Sequence, residues 1–416
     1  MGKVEALQCV RCRRLYAEGE VLYTCPSCGI QGILDVVYDY DAIAAAGFGP
    51  EALVTDPDRT HWRYRDLLPI GDGAELPQIP VGDTPLFALP GLAYRLGVAE
   101  LWIKDEGRNP TGSFKDRASS VAAVKARELG FETVCCASTG NAASSLAGFA
   151  ANLGLRSFIF VPAFAPEAKV TQLLLFGATV FSVQGSYLDA YELCMEAAGA
   201  FGWYNRSAAI NPYPVEGKKT CGLEIAEQMA GRTPDWVSVS VGDGCTIAGI
   251  WKGLKEMHQF GLIDRLPRML GTQAEGAAPL VAAFEAGAEE WTPVEADTMA
   301  DSISVGQPRN GLKALRAVRE SGGILVAVSD EEILAAEAEL ASFGVFGEPA
   351  GVAGVAGIRR ARESWAIGPD DRVLHIVTGS GLKDVKAAVR AAPRQPIPVA
   401  SSLESVRQAM EGARGW

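Results

Sequence analysis

Short apolar runs alternate with longer amphipathic stretches over most of the chain. The spacing of apolar residues in the longer stretches is typical of helices, and many of them are rich in alanine. Strands that are apolar throughout are buried on both faces, as in parallel sheets covered by helices. The pattern predicts an α/β protein with a mostly parallel, doubly wound sheet. We predict strands at residues 101–103, 133–136, 157–161, 178–183, 236–241, 324–328 and 373–377.

Three of the predicted strands end in loops of small and polar residues. Ligands of such sheets bind beyond the carboxyl ends of the strands, where the free N–H groups of the following helix attract anions. Helix capping or a plain turn is the alternative interpretation of each loop. The three candidate loops are Ser138-Thr139-Gly140-Asn141, Gly242-Asp243-Gly244-Cys245-Thr246 and the segment that starts at Thr378.

A fourth candidate is the segment NPTGSFKDR, from Asn109 to Arg117. Breaker residues precede Lys115 and a helical pattern follows it as far as Leu129, so Lys115 is predicted to lie where a loop becomes a helix. The positive end of a helix disfavours a second positive charge and eases deprotonation of the amine. Lys115 therefore suits imine formation, although a lysine taken alone is more often a solvated surface group.

Four cysteines near the N-terminus form two Cys-x-x-Cys pairs, Cys9 with Cys12 and Cys25 with Cys28. Two such pairs at this separation predict a tetrahedral zinc site with four thiolates. A closed site of this kind leaves no open coordination position, so its role would be structural. A pair of disulfides, or a redox Cys-x-x-Cys, is the alternative. The other five cysteines are predicted to be buried thiols.

Length and charge bound the function further. A chain of 416 residues is long enough for two domains and an appendage. The net charge of −12 argues against partners such as nucleic acid or an anionic membrane. Neither a signal peptide nor a membrane-spanning run is apparent, which predicts a cytoplasmic protein. The three histidines are scattered, which disfavours a histidine triad or a histidine metal site.

The domain organisation is predicted as follows. A zinc ribbon occupies residues 1–34, and a larger α/β domain with an N-terminal arm occupies 35–124 and 221–390. A smaller α/β domain occupies 125–220, and a C-terminal tail occupies 391–416.

Seven segments, in this order along the chain, resemble pyridoxal-phosphate enzymes of fold type II and, among these, the threonine synthase family. They are KDEGRNPTGSFKDR (Lys104 to Arg117), STGNAAS (Ser138 to Ser144), NPYPVEGKKT (Asn211 to Thr220), VGDGCT (Val241 to Thr246), ESGG (Glu320 to Gly323), GEPAG (Gly347 to Gly351) and TGSGLKD (Thr378 to Asp384). The resemblance implies the tryptophan synthase β-like fold, pyridoxal 5'-phosphate as cofactor, an amino-acid substrate and a homodimer.

The resemblance also implies a role for each loop. Lys115 would carry the cofactor covalently and, once freed by the substrate, would move protons at Cα and Cβ. Asn141 would meet the ring hydroxyl, Gly242 to Thr246 would cradle the phosphate, and Thr378 would face the pyridine nitrogen. A neutral hydroxyl at that nitrogen suits β and γ eliminations. The substrate carboxylate would dock on Ser138 to Asn141.

The chain departs from the family where the family binds the substrate phosphate. The family pattern NSxNPxRxEG has a serine and an arginine at positions that are Ala209 and Pro214 here. Asp243, where the family often has asparagine, adds negative charge. Arg108, Arg206 and Lys218 are candidates to replace the missing contacts, and we take Arg108 as the predicted substrate-binding cation; each is equally a surface cation.

Three functional hypotheses follow. The first is a threonine synthase, which converts O-phosphohomoserine and water to threonine and phosphate. The second is a related enzyme that acts on another amino acid, such as a serine or threonine dehydratase or a cysteate-synthase-like β-replacement enzyme. The third is an inactive scaffold that uses its ribbon for protein contact, against which the intact Lys115, Asn141 and Thr378 argue.

Overall fold

The computed structural model describes residues 3–165 and 167–412. Its strands are β1 (Val4–Cys9), β2 (Leu15–Tyr16), β3 (Leu34–Tyr38), β4 (Leu86–Ala88), β5 (Glu100–Asp105), β6 (Thr133–Ala137), β7 (Arg156–Pro162), β8 (Thr179–Val183), β9 (Tyr204–Asn205), β10 (Trp236–Ser240), β11 (Arg268–Ala274), β12 (Ile324–Val328) and β13 (Arg372–Val377). Its helices are α1 (Tyr40–Ala45), α2 (Pro50–Thr55), α3 (Pro90–Leu96), α4 (Lys115–Glu128), α5 (Asn141–Asn152), α6 (Glu167–Leu175), α7 (Tyr187–Phe201), α8 (Tyr213–Gln228), α9 (Cys245–Gln259), α10 (Pro279–Glu285), α11 (Gly311–Glu320), α12 (Asp330–Ala341), α13 (Pro349–Glu363), α14 (Val385–Ala391) and α15 (Leu403–Gly412).

The strands form three sheets. The first is a small antiparallel sheet in the order β2-β1-β3. The largest has the order β12-β11-β10-β13-β5-β4 and is parallel except at its edge strand β4. A parallel sheet in the order β8-β7-β6-β9 completes the fold. The predicted α/β class with mostly parallel sheets is confirmed, whereas the domain boundaries stay a prediction.

All seven predicted strands are present, and the main strand that the pattern missed is β11. Its second half, Gly271-Thr272-Gln273, breaks the apolar run that identified the others. The structure explains the glycine, because a Cβ on Gly271 would lie 2.4 Å from Leu325 Cδ2 on the neighbouring strand. Close packing between β11 and β12 therefore selects a residue that weakens the strand signal.

Helix α8 packs closely against both α4 and α9. A Cβ on Gly217 would lie 2.0 Å from the carbonyl oxygen of Arg117 in α4, and one on Gly222 would lie 2.3 Å from that of Ile250 in α9. Only glycine allows both approaches. The three helices therefore form one unit, in which the beginnings of α4 and α9 are held by a shared neighbour.

Buried and partly buried charges attach the small sheet to this helical unit. Asp35 on β3 accepts hydrogen bonds from Lys313 at 2.7 Å and Lys252 at 3.3 Å. Glu216 on α8 accepts one from Lys252 at 2.8 Å and one from the Tyr38 hydroxyl at 2.8 Å. Because buried ions need partners, these contacts fix how the N-terminal sheet docks.

None of the helices described here combines the length and the apolar character that a bilayer crossing requires.

Candidate active site

Lys115 is the first residue of α4, as the loop-to-helix prediction required. Its side chain lines a cavity together with Asn141, the loop from Gly242 to Thr246, and Thr378. These residues come from the beginnings of three helices and the end of β13, and residues 115 and 378 are far apart in sequence. The structure thus brings together the four segments predicted to meet around Lys115.

The surroundings of Lys115 favour its neutral form. Burial lowers the pKa of the amine, and the nearby positive charges of Lys218 and Arg206 lower it further, to about 7. Cys245 and Glu348 oppose this shift. A large fraction of the amine is therefore unprotonated near neutral pH, as a nucleophile or a general base requires.

The loop before α9 offers a row of free N–H groups. No described residue accepts a hydrogen bond from the backbone amides of Gly242, Asp243, Gly244, Cys245 or Thr246. Gly244 has a φ of +90°, and a Cβ there would lie 2.8 Å from the carbonyl oxygen of Asn310. Unpartnered amides at the positive end of a 15-residue helix fit a phosphate.

Gly244→Ala is expected to weaken binding of pyridoxal phosphate at least about tenfold, because it adds both left-handed strain and a clash to the loop. Equilibrium titration of the cofactor-free protein, followed by absorbance, measures the effect. Gly130→Ala is the matched control, since Gly130 has a φ of +80° with no atom within 4 Å of the added carbon. Equal affinities of the two variants would contradict a steric role for Gly244.

The loop before α5 has free amides as well. The Ser138 hydroxyl accepts a hydrogen bond from the N–H of Gly140 at 3.1 Å, while no described residue accepts from the amides of Thr139, Asn141 or Ala142. The Asn141 side chain reaches into the cavity and donates to Glu348 Oε1 at 2.7 Å. This loop can receive a carboxylate, as its sequence predicted.

Glu348, the residue directly before α13, lines the cavity, and no role was predicted for it from the sequence. Burial raises the pKa of its carboxyl to about 7, although the hydrogen bond from Asn141 opposes the shift. The sequence feature that could have identified it is its position in GEPAG, where an acidic residue stands between a glycine and a proline. Ser240 also lines the cavity, and its hydroxyl is buried without a partner among the described residues.

The segment after β13 is joined to the Lys115 loop. The carbonyl of Thr378 accepts the N–H of Phe114 at 2.8 Å, and the N–H of Ser380 donates to the carbonyl of Gly112 at 3.0 Å. These backbone contacts fix Thr378 beside Lys115, with both side chains lining the same cavity. The pairing explains how Lys115 and Thr378, which are far apart in the sequence, share one site.

The structure separates Arg108 from this group. Its side chain is 71% exposed and lies 3.8 Å from the Asp105 carboxylate, and it is not among the described residues that line the cavity. Lys218 does line the cavity, and Arg206 is buried close enough to Lys115 to affect its pKa. Of the three cations considered, the last two are therefore near the candidate site.

The lowered pKa of Lys115 has a consequence for stability. Because the unfolded chain binds the proton up to pH 10.5 and the folded chain only up to about 7, Lys115 destabilises the cofactor-free protein below pH 7. The destabilisation decreases as the pH rises from 7 to 10.5. Lys115→Met is therefore expected to raise the free energy of unfolding by on the order of a few kcal/mol at pH 7, and by less at pH 9.

Urea unfolding of the cofactor-free protein at the two pH values measures this difference. The control is Lys255→Met, since the Lys255 side chain is 46% exposed on the surface. A gain from Lys115→Met that did not shrink between pH 7 and pH 9 would show that the amine is not destabilised by burial.

The four cysteines near the N-terminus also lie together. The sulfur atoms of Cys9, Cys12, Cys25 and Cys28 all fall within 4.8 Å of one another, and those of Cys12 and Cys25 are 3.7 Å apart. Zinc–sulfur bonds of about 2.3 Å in a tetrahedron separate the sulfurs by about 3.8 Å, so the donor set and spacing fit zinc. The Tyr16 hydroxyl lies 3.0 Å from Cys25 Sγ and supports the cluster from outside.

The remaining five cysteines are buried, as predicted.

Comparisons with known proteins identify the family of this chain. The family profile described as pyridoxal-phosphate dependent enzyme matches residues 78–379. A threonine synthase of Methanosarcina acetivorans is 42% identical over 98% of this chain and 98% of its own length, and one of Methanocaldococcus jannaschii is 39% identical over 97% and 99%.

A threonine synthase of Mycobacterium tuberculosis is 40% identical over 81% of this chain and 92% of its own length. Among solved structures, the processed form of threonine deaminase isoform 2 from Solanum lycopersicum matches with a TM-score of 0.64 at 24% identity, over 74% of this chain and 87% of that one. Maize serine racemase matches with a TM-score of 0.64 at 22% identity, over 80% and 92%. These structures support the fold.

Proposed function

This chain belongs to the pyridoxal-phosphate-dependent enzyme family, and within it to the threonine synthases, so we propose that it converts O-phosphohomoserine and water to threonine and inorganic phosphate. The observation that carries the proposal is the 42% identity to a threonine synthase over 98% of both chains. Such coverage includes the N-terminal cysteine cluster as well as the α/β body.

The residues around the cavity fit the cofactor. We propose that Lys115 binds its aldehyde carbon, that Asn141 meets its ring hydroxyl, that Gly242 to Thr246 hold its phosphate and that Thr378 faces its ring nitrogen. The free amides of the loop before α9 support the phosphate assignment. When bound there, pyridoxal phosphate supplies an electron sink for bonds at the substrate α-carbon.

The chain's own groups bind the substrate carboxylate and move protons. The free amides of Thr139, Asn141 and Ala142 hold the substrate carboxylate at the beginning of α5, where the helix dipole favours an anion. Lys115, whose pKa of about 7 keeps a large fraction of the amine neutral near pH 7, accepts and returns protons at the substrate carbons. Holding the carboxylate at one end fixes the substrate relative to the amine.

We propose a structural role for zinc in the cluster of Cys9, Cys12, Cys25 and Cys28. Four thiolates complete a tetrahedron and leave no open position for a substrate. Nine cysteines, none in a disulfide, suit a reducing compartment, and we place the enzyme in the cytoplasm on that ground. The homodimer remains a prediction from the family resemblance.

A second candidate function rests on a specific observation at the start of α8. Pro214 lies in the first turn of that helix, where its ring suits the backbone but supplies no donor, and Ala209 supplies no hydroxyl. A related dehydratase acting on serine or threonine would not need those phosphate contacts.

Product analysis of the holoenzyme separates the two functions. Release of inorganic phosphate from O-phosphohomoserine, with an equal amount of threonine, is the result expected of a threonine synthase. No phosphate release by protein with bound cofactor, together with 2-oxo acid from serine or threonine, would overturn the proposal in favour of a dehydratase. A β-substituted product from O-phosphoserine and sulfite would instead identify a β-replacement enzyme.

A further inference from the structure

Two buried cations beside Lys115 have no counter-anion in ion-pair contact. Lys218 is 3% exposed and Arg206 is 4% exposed, and among the described residues neither forms an ion pair. Arg206 Nε donates to the Ser119 hydroxyl at 3.1 Å, while its Nη2 is buried without a partner. Since burying an unpaired cation is unfavourable, these two groups indicate an anion that binds between them.

Both cations lie near Lys115, and Lys218 lines the cavity itself. Ser119, which holds Arg206, lies one helical turn after Lys115, so the two face the same side of α4. Lys218 lines the cavity directly and is carried by α8, the helix packed between α4 and α9. The positive charges of both groups lower the pKa of Lys115, which confirms their proximity.

The neighbouring acidic groups that the structure describes form no ion pair with these cations, although the negative charge of Asp243 acts on Lys218 from a distance. The two carboxylate oxygens of Asp243 already accept the N–H of Arg309 at 2.6 Å and the thiol of Cys245 at 3.0 Å. Glu348 is held by Asn141 at 2.7 Å, and burial favours its neutral form. Asp116 accepts from the N–H of Thr111 at 2.7 Å, and burial raises its pKa too. The surroundings of Arg206 and Lys218 therefore suit an incoming dianion.

The positions of these cations match the place where the expected phosphate contacts are missing. Lys218 lies four residues after Pro214 on α8, so both residues project from the same face of the helix. Arg206 lies three residues before Ala209 in the segment that leads into α8. The two cations thus lie on the same two segments as the missing contacts, Lys218 about one helical turn after Pro214 and Arg206 in the segment before α8.

We propose that Arg206 and Lys218 form the subsite for the phosphate group of the substrate. This inference rests on the proposed function and assigns to that site a substrate with a phosphoryl leaving group. A phosphate dianion could also come from the cofactor. The free amides from Gly242 to Thr246 already provide for the cofactor's phosphate, which leaves the two side chains for a second dianion.

The test uses holoenzyme with Lys218→Gln and Arg206→Gln, and Lys255→Gln as a surface control. Calorimetric titration with inorganic phosphate is expected to show binding to the native enzyme and to the control, weakened at least about tenfold in each site variant. The KM for O-phosphohomoserine should rise by a similar factor. Unfolding of the cofactor-free variants should require as much urea as the native protein or more, since each loses an unpaired buried charge.

Each remaining outcome decides the matter. Unchanged phosphate affinity in both variants, with native turnover of O-phosphohomoserine intact, would overturn the subsite and leave the proposed function standing. Loss of pyridoxal phosphate from the variants at unchanged affinity for inorganic phosphate would assign the cations to the cofactor. If the native enzyme binds phosphate through Lys218 but does not turn over O-phosphohomoserine, the subsite stands and the proposed function fails.

Discussion

Lys115→Ala is expected to lower turnover of O-phosphohomoserine by at least about a thousandfold, since the variant lacks both the covalent anchor and the proton carrier. The absorption band near the edge of the visible range, which reports cofactor bound covalently to the protein, should disappear. Reduction with borohydride followed by peptide mass analysis should attach the cofactor to Lys115 in the native enzyme and to no residue in the variant.

Lys255→Ala removes an exposed lysine and serves as the control, with an expected turnover equal to that of the native enzyme. The cofactor-free Lys115→Ala protein should still fold, because it loses an amine that burial and two cations destabilise and that forms no hydrogen bond or ion pair with the described residues. A persistent covalent absorption band in a folded Lys115→Ala protein would show that another lysine carries the cofactor.

Cys25→Ser is expected to reduce the zinc content from one ion per chain to nearly none and to lower stability by several kcal/mol. The sulfur of Cys25 is central to the cluster, since Cys25 is fully buried and its Sγ lies near both Cys12 and Tyr16. Structural zinc sites contribute their binding free energy directly to folding. Elemental analysis of the purified protein and thermal unfolding with and without a chelator measure the two effects.

Cys136→Ser is the control that distinguishes the effect of losing the metal from the effect of losing a buried thiol. Cys136 lies on β6, away from the cluster, and is 2% exposed. The substitution should cost some stability but leave the zinc content at one ion per chain. A native protein that holds no zinc after purification under reducing conditions, or whose unfolding is insensitive to a chelator, would contradict the zinc proposal.

The loops of the candidate site could be predicted from the sequence because they are backbone features with local signals, whereas the roles of their residues stay predictions. Glycines, hydroxyl residues and helix beginnings follow the strands at Ser138 and Gly242. Asn141 of the first loop and Gly242 to Thr246 of the second line the cavity with Lys115. Local chemistry therefore singled out these loops, and the rule that ligands bind beyond the carboxyl ends of parallel strands was enough to expect them near a shared site, although β6 and β10 lie in different sheets.

Charged side chains were less predictable, because their role depends on what covers them. Arg108 and Arg206 look alike in the sequence, yet the first is mostly exposed and the second is buried with an unpartnered nitrogen. The raised pKa of Glu348 could not be predicted from the sequence, because it results from burial in the assembled fold. Strand β11 was missed because contact with Leu325 requires a glycine.

The docking of the N-terminal sheet through Asp35 has a consequence for the order of folding. Lys252 and Lys313, the cations that bind Asp35, follow it by 217 and 278 residues. During synthesis the cysteine cluster leaves the ribosome first and can close around a metal while its docking partners are still untranslated. Contacts this distant in sequence form late because the intervening chain must first be ordered. We therefore expect the metal-binding unit to fold early. It should then remain undocked and exposed to solvent until α11, which carries Lys313, has been synthesised.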